Sequence, residues 1–178
     1  MDAMEWTGLV PAGPGDVQAA ADLAQQLRDH FPGFVRGDFT EQMTARLPLG
    51  EALVIRRGSM LAGCVIFSRE RREIDFLAVD PACRRVGVAI RLLAAVMDRF
   101  PAGTTLSVVT YRAGDPLGVA ARRLYEKFGF RAGEQVMAFD YPCQVLTGLV
   151  PQRFPEEILE VLRTDPGETH LTIQEECV

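Results

Sequence analysis

The spacing of apolar positions changes period along this chain, and each change marks a predicted element. "TGLVPAGPGD" has the pattern of a short strand and turn. Asp16 then caps a helix running to about His30, with Val17, Ala20, Ala21, Leu23, Ala24 and Leu27 forming its apolar side. "FPGFVRG" breaks that helix. Asp38 followed by Glu41 is a capping-box-like start for a second short helix that reaches about Leu47 and is stopped by Pro48 and Gly50.

The period then drops to that of strands. "EALVIRRGSMLAGCVIFSRERREIDFLAVD" holds three β-rich runs, residues 52–56, 61–68 and 73–79, joined by a tight Arg-Gly-Ser turn and a charged "RERR" hairpin, so antiparallel pairing is expected. After Gly87 comes a helix to about Phe100 that is apolar nearly all round, which implies burial. "TTLSVVTY" is the next buried strand. Asp115 and Pro116 open a further helix with a Leu117, Ala121, Leu124, Phe128 stripe, Gly129 ends it, and "QVMAFDY" is a last strand. The order predicts a mixed α/β (α+β) fold: a central, mostly antiparallel twisted sheet flanked by helices. No internal repeat is present.

Composition sharpens this picture by exclusion. At 178 residues, 48% apolar and 24% charged, the chain suits one compact domain. Its longest strongly apolar segment, residues 86–96, is interrupted by Arg91 and is too short to span a bilayer, and the N-terminus lacks a signal-peptide pattern. Four cysteines at no recognisable spacing read as free thiols in a reducing cytoplasm, the expected location. The basic residues are nearly all Arg, a bias read as codon usage in a GC-rich, bacterial genome.

The net charge of −5 falls entirely on the last thirty residues, leaving residues 1–148 neutral without a basic stripe. That argues against a nucleic-acid partner, and no membrane partner is expected. We therefore divide the chain into a domain over residues 1–148 and an acidic C-terminal extension over 149–178. "PEEILEVL" reads as a short helix of this extension, and "THLTIQEECV" as an added strand, a dimer arm suited to a homodimer, or a mobile tail.

The chemistry starts at "VDPACRRVGVAIRLL". If Val79 ends a strand and Gly87 opens a helix, the unpaired N–H groups of the first helical turn and the helix dipole form a site for phosphate. Gly87 lets an anion approach the backbone, Ala89 keeps the next inward position small, and Arg84 and Arg85 add rim charge. The loops that define P-loop hydrolases and Rossmann cofactor domains are absent.

The turn Arg84, Arg85, Val86, Gly87, Val88, Ala89 resembles the Q/R-x-x-G-x-G/A signature of the GNAT N-acetyltransferase superfamily, placed as expected after "EIDFLAVDP". "ARRLYEKFGF" resembles that superfamily's second block, and the element order agrees from about Trp6 to Pro142. The resemblance implies acetyl-CoA as co-substrate, its pyrophosphate on the backbone of Arg85, Val86, Gly87, Val88, Ala89 and Ile90, and its pantetheine arm paired with Leu77, Ala78 and Val79 like an added strand. It also implies an acceptor that is a small-molecule or protein amine. One departure stands out: where many members carry Asn seven residues before the tyrosine, this chain has Gly118.

Acetyl transfer to an amine requires a neutral nucleophile, stabilisation of an oxyanion and protonation of a leaving thiolate. The resemblance makes Tyr125 the general acid. Glu73, fourteen residues before Gly87, matches the spacing of the glutamate base in histone-acetylating members, with Asp75 and a water relay as alternatives. Simple alternation puts Glu73, Asp75, Leu77 and Val79 on one strand face, and the oxyanion donor would be a backbone N–H near Leu77 or Ala78. Asp115 is expected to cap its helix, and Cys83 to be an exposed bystander rather than a thiol made acidic by two arginines. Phe31, Phe34 and Phe39 either shape an acceptor pocket or pack the core. With His30 and His170 in unrelated segments, no metal site is expected. A non-catalytic acyl-CoA-binding or protein-interaction module of the same fold is the alternative function.

Overall fold

The computed structural model describes residues 5–166. They form a seven-stranded sheet flanked by helices on both faces. In chain order these are β1 (Val10–Pro11), α1 (Val17–Gln26), α2 (Arg36–Arg46), β2 (Ala52–Arg57), β3 (Met60–Ser68), β4 (Glu73–Val79), α3 (Val88–Met97), β5 (Thr105–Tyr111), α4 (Val119–Lys127), β6 (Arg131–Ala138), β7 (Tyr141–Leu149) and α5 (Glu156–Leu162). The spatial order is β1-β2-β3-β4-β5-β7-β6, antiparallel except for the parallel contact between β4 and β5. The mostly antiparallel mixed fold expected from the sequence is the fold observed.

Two apolar layers hold the sheet. On one face α3, α4 and α5 cover Leu53, Val65, Phe67, Leu77 and Leu106; on the other α1 and α2 cover Val54, Cys64, Ile66 and Phe76. Helix α3 is buried almost all round, as its composition requires. Leu92, Leu93, Val96 and Met97 have no exposed surface, and each contributes about 1.5–3 kcal/mol of apolar transfer.

Two features fix where a ligand can enter. The first is the limit of the β4–β5 contact, which pairs Glu73 with Ser107 and Ile74 with Val108 and goes no further. Beyond Ile74, β5 follows β7 as far as Tyr111, while β4 stays with β3 to Val79. The sheet therefore splays between β4 and β5. The second is a bulge at Asp75: Ile66 faces Phe76 but Phe67 faces Ile74, leaving Asp75 as the extra residue. This overturns the simple alternation expected for β4. Ile74 shares the face of Leu77 and Val79, whereas Phe76 and Ala78 turn to the face covered by α1 and α2.

Other differences are local. Asp16 does not cap α1; its carboxylate accepts from the Gly13 N–H at 2.8 Å and pairs with Arg56. Helix α2 starts at Arg36, two residues ahead of the expected cap, with Asp38 in its first turn. The last strand continues into a hairpin: Phe139 and Asp140, both at positive φ, turn β6 into β7, which inserts between β5 and β6. Within the acidic extension, Ile158 and Val161 of α5 are buried in the same layer as α3. The expectation for "THLTIQEECV" lies outside the described residues.

Arg91 joins α5 to the loop before α3. Only 9% exposed, its guanidinium donates to the carbonyl oxygens of Val86 at 2.7 Å, Val161 at 2.8 Å and Thr164 at 2.5 Å. Replacing it with Met keeps the stem but removes three carbonyl bonds, the one to Val161 buried and those to Val86 and Thr164 part-buried. Arg91→Met is expected to lower unfolding free energy by about 2–4 kcal/mol, measured by urea denaturation.

Candidate functional site

Leu77, Ala78 and Val79 lie where β4 has β3 on one side and, among the described residues, no strand on the other, so that edge keeps backbone groups able to pair with an extended, amide-bearing chain. Their register partners on β3 are Val65, Cys64 and Gly63. The chain then turns: Asp80 accepts from the Ala82 N–H at 2.8 Å and caps a 3-10 turn over Pro81–Cys83. Arg85 and Gly87 both take left-handed backbone angles, φ 67° and 76°, and α3 begins at Val88. The first α-type bond of the helix runs from the Arg91 N–H to the Gly87 carbonyl at 3.0 Å. The N–H groups of Val88, Ala89 and Ile90 thus precede the helical ladder, at the positive end of its dipole. The strand edge and the helix start are separated only by this short turn.

The structure changes the reason for glycine at 87. A Cβ there would stand 2.5 Å from both the Arg91 guanidinium and a Val161 methyl, so the space is already filled from behind by α3 and α5. Glycine is needed for its positive φ and that packing, not to clear room for an anion. Cys83 is also corrected. It is buried rather than exposed, and burial together with nearby Asp80 pushes its thiol pKa up, outweighing Arg57.

Tyr125 sits in α4, 5% exposed, with its ring 5.4 Å from that of Phe130. Burial pushes its phenol pKa well above the ordinary value, so it holds its proton at neutral pH. It lines a cavity of about 510 Å³ that also reaches Leu77, Glu73 and Asp75, so the candidate acid, the candidate base and the β4 edge meet there. Arg84 to Ile90 are not among the residues lining this cavity; the turn belongs to the other end of the β4 edge.

Arg71 holds both acids. Its Nε donates to Glu73 at 3.1 Å and its Nη2 to Asp75 at 2.5 Å, while Arg46 stands 3.6 Å from Asp75 on the far side. Burial raises the Asp75 pKa despite Arg71. Glu73 and Leu77 stand four residues apart on β4, at most about 13 Å along a regular strand, so Glu73 would reach an amine near Leu77 only through water.

Phe31, Phe34 and Phe39 both pack and line the cavity, joined by Phe76: the Phe31–Phe76 and Phe39–Phe76 ring centroids are 4.6 Å and 4.9 Å apart. Sequence reasoning missed Phe76, Tyr111 and Phe139 as cavity residues. Phe76 was hidden by the bulge and Phe139 by the unrecognised hairpin, for which the polar Asp140 between two apolar runs was the available signal. Tyr111 explains the missing Asn. A Cβ on Gly118 would lie 2.4 Å from the Tyr111 Cβ, so the Tyr111 side chain occupies the space where an Asn would begin. Asp115 caps its helix as expected, accepting from the Leu117 N–H at 3.0 Å, and also accepts from the Tyr141 hydroxyl at 2.6 Å. Arg112 donates to the carbonyls of Cys143 and Val136.

Among the described residues, three buried polar atoms on cavity-lining residues have no hydrogen-bond partner: His30 Nδ1, the Tyr111 hydroxyl and Asp75 Oδ2, the last of which still faces Arg46 at 3.6 Å.

Comparison with known proteins agrees with this geometry. Residues 19–142 match the family model described as an acetyltransferase (GNAT) domain, and the chain belongs to that family. Solved structures share the fold at low identity. Ard1 from Thermoplasma volcanium is 18% identical, with 83% of this chain and 99% of that one aligned at a TM-score of 0.66. The yncA protein from Salmonella typhimurium, solved with its cofactor acetyl-CoA, is 16% identical over 83% and 95%, at 0.63. The ribosomal-protein-S18-alanine N-acetyltransferase from Escherichia coli is 21% identical over 84% and 96%, at 0.61. No curated protein matches by sequence. The family supports acyl transfer with acetyl-CoA as co-substrate.

All three tyrosines of the sequence resist ionisation: burial raises Tyr125, burial and neighbouring acids push Tyr111 up to about 12, and the bond to Asp115 raises Tyr141. A pKa raised in the folded state contributes stability that is present below the unfolded value, about 10, and lost as pH climbs through the folded one. Absorbance at a tyrosinate wavelength is therefore expected to show no step near pH 10 in the folded protein, and to rise as the protein unfolds at higher pH. Tyr111→Phe removes an unpaired buried hydroxyl; without ligand its melting temperature is expected to rise by about 2–4 °C per kcal/mol relieved, read by calorimetry.

Proposed function

We propose that this protein is an N-acetyltransferase that moves the acetyl group of acetyl-CoA to a primary amine. The observation that carries the reading is the edge of β4 at Leu77, Ala78 and Val79, which no strand among the described residues pairs, running from a cavity that holds Tyr125 to the N–H groups that precede the helical ladder of α3. Acetyl-CoA supplies a thioester whose acyl carbon the amine attacks.

The chain's residues divide the remaining work. Backbone groups of Leu77, Ala78 and Val79 pair with the pantetheine amides and hold the thioester against β4. The N–H groups of Arg85, Val86, Gly87, Val88, Ala89 and Ile90 form the pyrophosphate cradle, with Arg84 and Arg85 at its rim. A backbone N–H near Leu77 or Ala78 faces the oxygen that gains charge as the nitrogen–carbon bond forms. Glu73, reached through water, takes the proton that the ammonium must lose before attack. When the carbon–sulfur bond breaks, the Tyr125 phenol donates to the sulfur and is restored by the second proton that the nitrogen sheds as the amide forms; its burial keeps it protonated between turnovers.

A non-catalytic acyl-CoA-binding module is the second reading, supported by the way Arg71 occupies both Glu73 and Asp75. Turnover separates the two readings. Calorimetric titration with acetyl-CoA is expected to show one site, and binding without release of free thiol on any amine would favour the module. Arg85, exposed at the turn, is expected to contribute charge. Arg85→Glu should weaken acetyl-CoA about tenfold, less so at high salt. Tyr125→Phe should lower kcat by about 10²-fold with little change in acetyl-CoA affinity; unchanged kcat would remove Tyr125 from the acid role.

A further inference from the structure

The cavity's second wall is not used by the transfer chemistry itself. Phe31, Phe34, Phe39 and Phe76 form a continuous aromatic surface, with centroid separations of 4.6 Å to 6.0 Å between successive rings. Beside it stand three carboxylate residues, Asp38, Glu73 and Asp75, and among the described residues no lysine or arginine lines the cavity. Arg46 and Arg71 reach Asp75 but do so from outside the lining. Phe139, 74% exposed at the tip of the β6–β7 hairpin, lies over Gly33, where a Cβ would stand 2.6 Å from the Phe139 Cβ. The hairpin and the loop joining α1 to α2 thus touch across the cavity's rim.

We infer that the acceptor is a small monoamine whose carbon body is aromatic or branched aliphatic and carries no carboxylate, seated on this phenylalanine wall with its nitrogen at Leu77, on the side from which water leads to Asp75 and Glu73. The inference rests on the acetyl-transfer reading above and names the substrate class of that site.

Each exclusion follows from the lining. An acceptor carboxylate would leave water to face three acids with no cation in the cavity to receive it. A polyamine would press its further charges against phenyl rings that cannot replace their hydration. A peptide chain would lay unpaired backbone amides along the same rings and would have to pass the contact between Phe139 and Gly33. An ammonium on an apolar body meets neither penalty: its carbon surface leaves water against the rings and its charge faces the carboxylates. A volume of about 510 Å³ lies within the range that encloses small ligands, roughly 300–1,000 Å³. The buried Tyr111 hydroxyl in the wall, which has no hydrogen-bond partner among the described residues, is a group that a bound, polar-tipped amine relieves after a small side-chain rotation.

The test uses the full chain with saturating acetyl-CoA and follows free thiol release. The amine panel is 2-phenylethylamine, isoamylamine, L-phenylalanine, spermidine and a tetrapeptide with a free, apolar N-terminal residue. The kcat/KM for 2-phenylethylamine is expected to exceed that for phenylalanine, which has the same body plus a carboxylate, and that for spermidine by at least about 100-fold. Phe34→Ala, at a partly exposed ring, is expected to raise the KM for 2-phenylethylamine about tenfold while acetyl-CoA affinity, measured by calorimetry, and melting temperature stay near wild type. Preference for spermidine, phenylalanine or the peptide overturns the inference and leaves acetyl transfer standing. So does an unchanged KM in Phe34→Ala. Acetyl-CoA binding with no turnover on any member also overturns it. Absence of acetyl-CoA binding removes the acetyl-transfer reading itself.

Discussion

Strands β4 and β5 hydrogen-bond through Glu73 with Ser107 and Ile74 with Val108, and then separate, and the site depends on that short contact. Two parallel strands that stayed together would satisfy each other's backbone groups and leave no edge for a ligand. Here the partners are divided instead. Strand β3 keeps β4 in line to Val79, and β7 keeps β5 in line to Tyr111, so each half of the sheet is stiff while the line between them opens. The opening has Tyr125 and the phenylalanine wall at its cavity and the first turn of α3 beyond its other end.

The bulge at Asp75 sits just past the last paired residues and shifts the strand's phase at that point. Leu77 and Val79 face α3, whose buried surface they match, while Phe76 joins Phe31 and Phe39. The extra residue is itself the carboxylate shared with Arg71 and Arg46. One backbone irregularity thereby separates the acidic end of β4 from its apolar end.

Much of the fold was legible in the sequence because its signals are local. The antiparallel runs before Val79, the all-round apolar helix after Gly87, the Asp115 cap and the Gly129 stop each depend on residues within one or two turns of chain. The turn before α3 was legible for the same reason, as a glycine and a helix start next to a strand. What escaped required knowledge of distant partners. Asp16 looked like a cap until Arg56 and Gly13 claimed its carboxylate. Cys83 looked exposed because its neighbours in sequence are charged, whereas its neighbours in space bury it. Strand β7 escaped because its hairpin uses Phe139 and Asp140 at positive φ in place of glycine. Alternation in β4 failed at a bulge whose only sequence mark is a polar residue in a polar-looking run.

The bonds from Arg91 to Val86, Val161 and Thr164 all end on main-chain oxygen atoms. An anchor of that kind recognises where the chain runs and not which side chains it carries. Substitutions on the outer surface of α5 can therefore accumulate without loosening the turn ahead of α3, provided the helix keeps its path. Shortening α5 by a turn would remove two of the three attachment points at once. The last helix thus acts as a splint for the turn ahead of α3, tolerant of mutation but not of truncation.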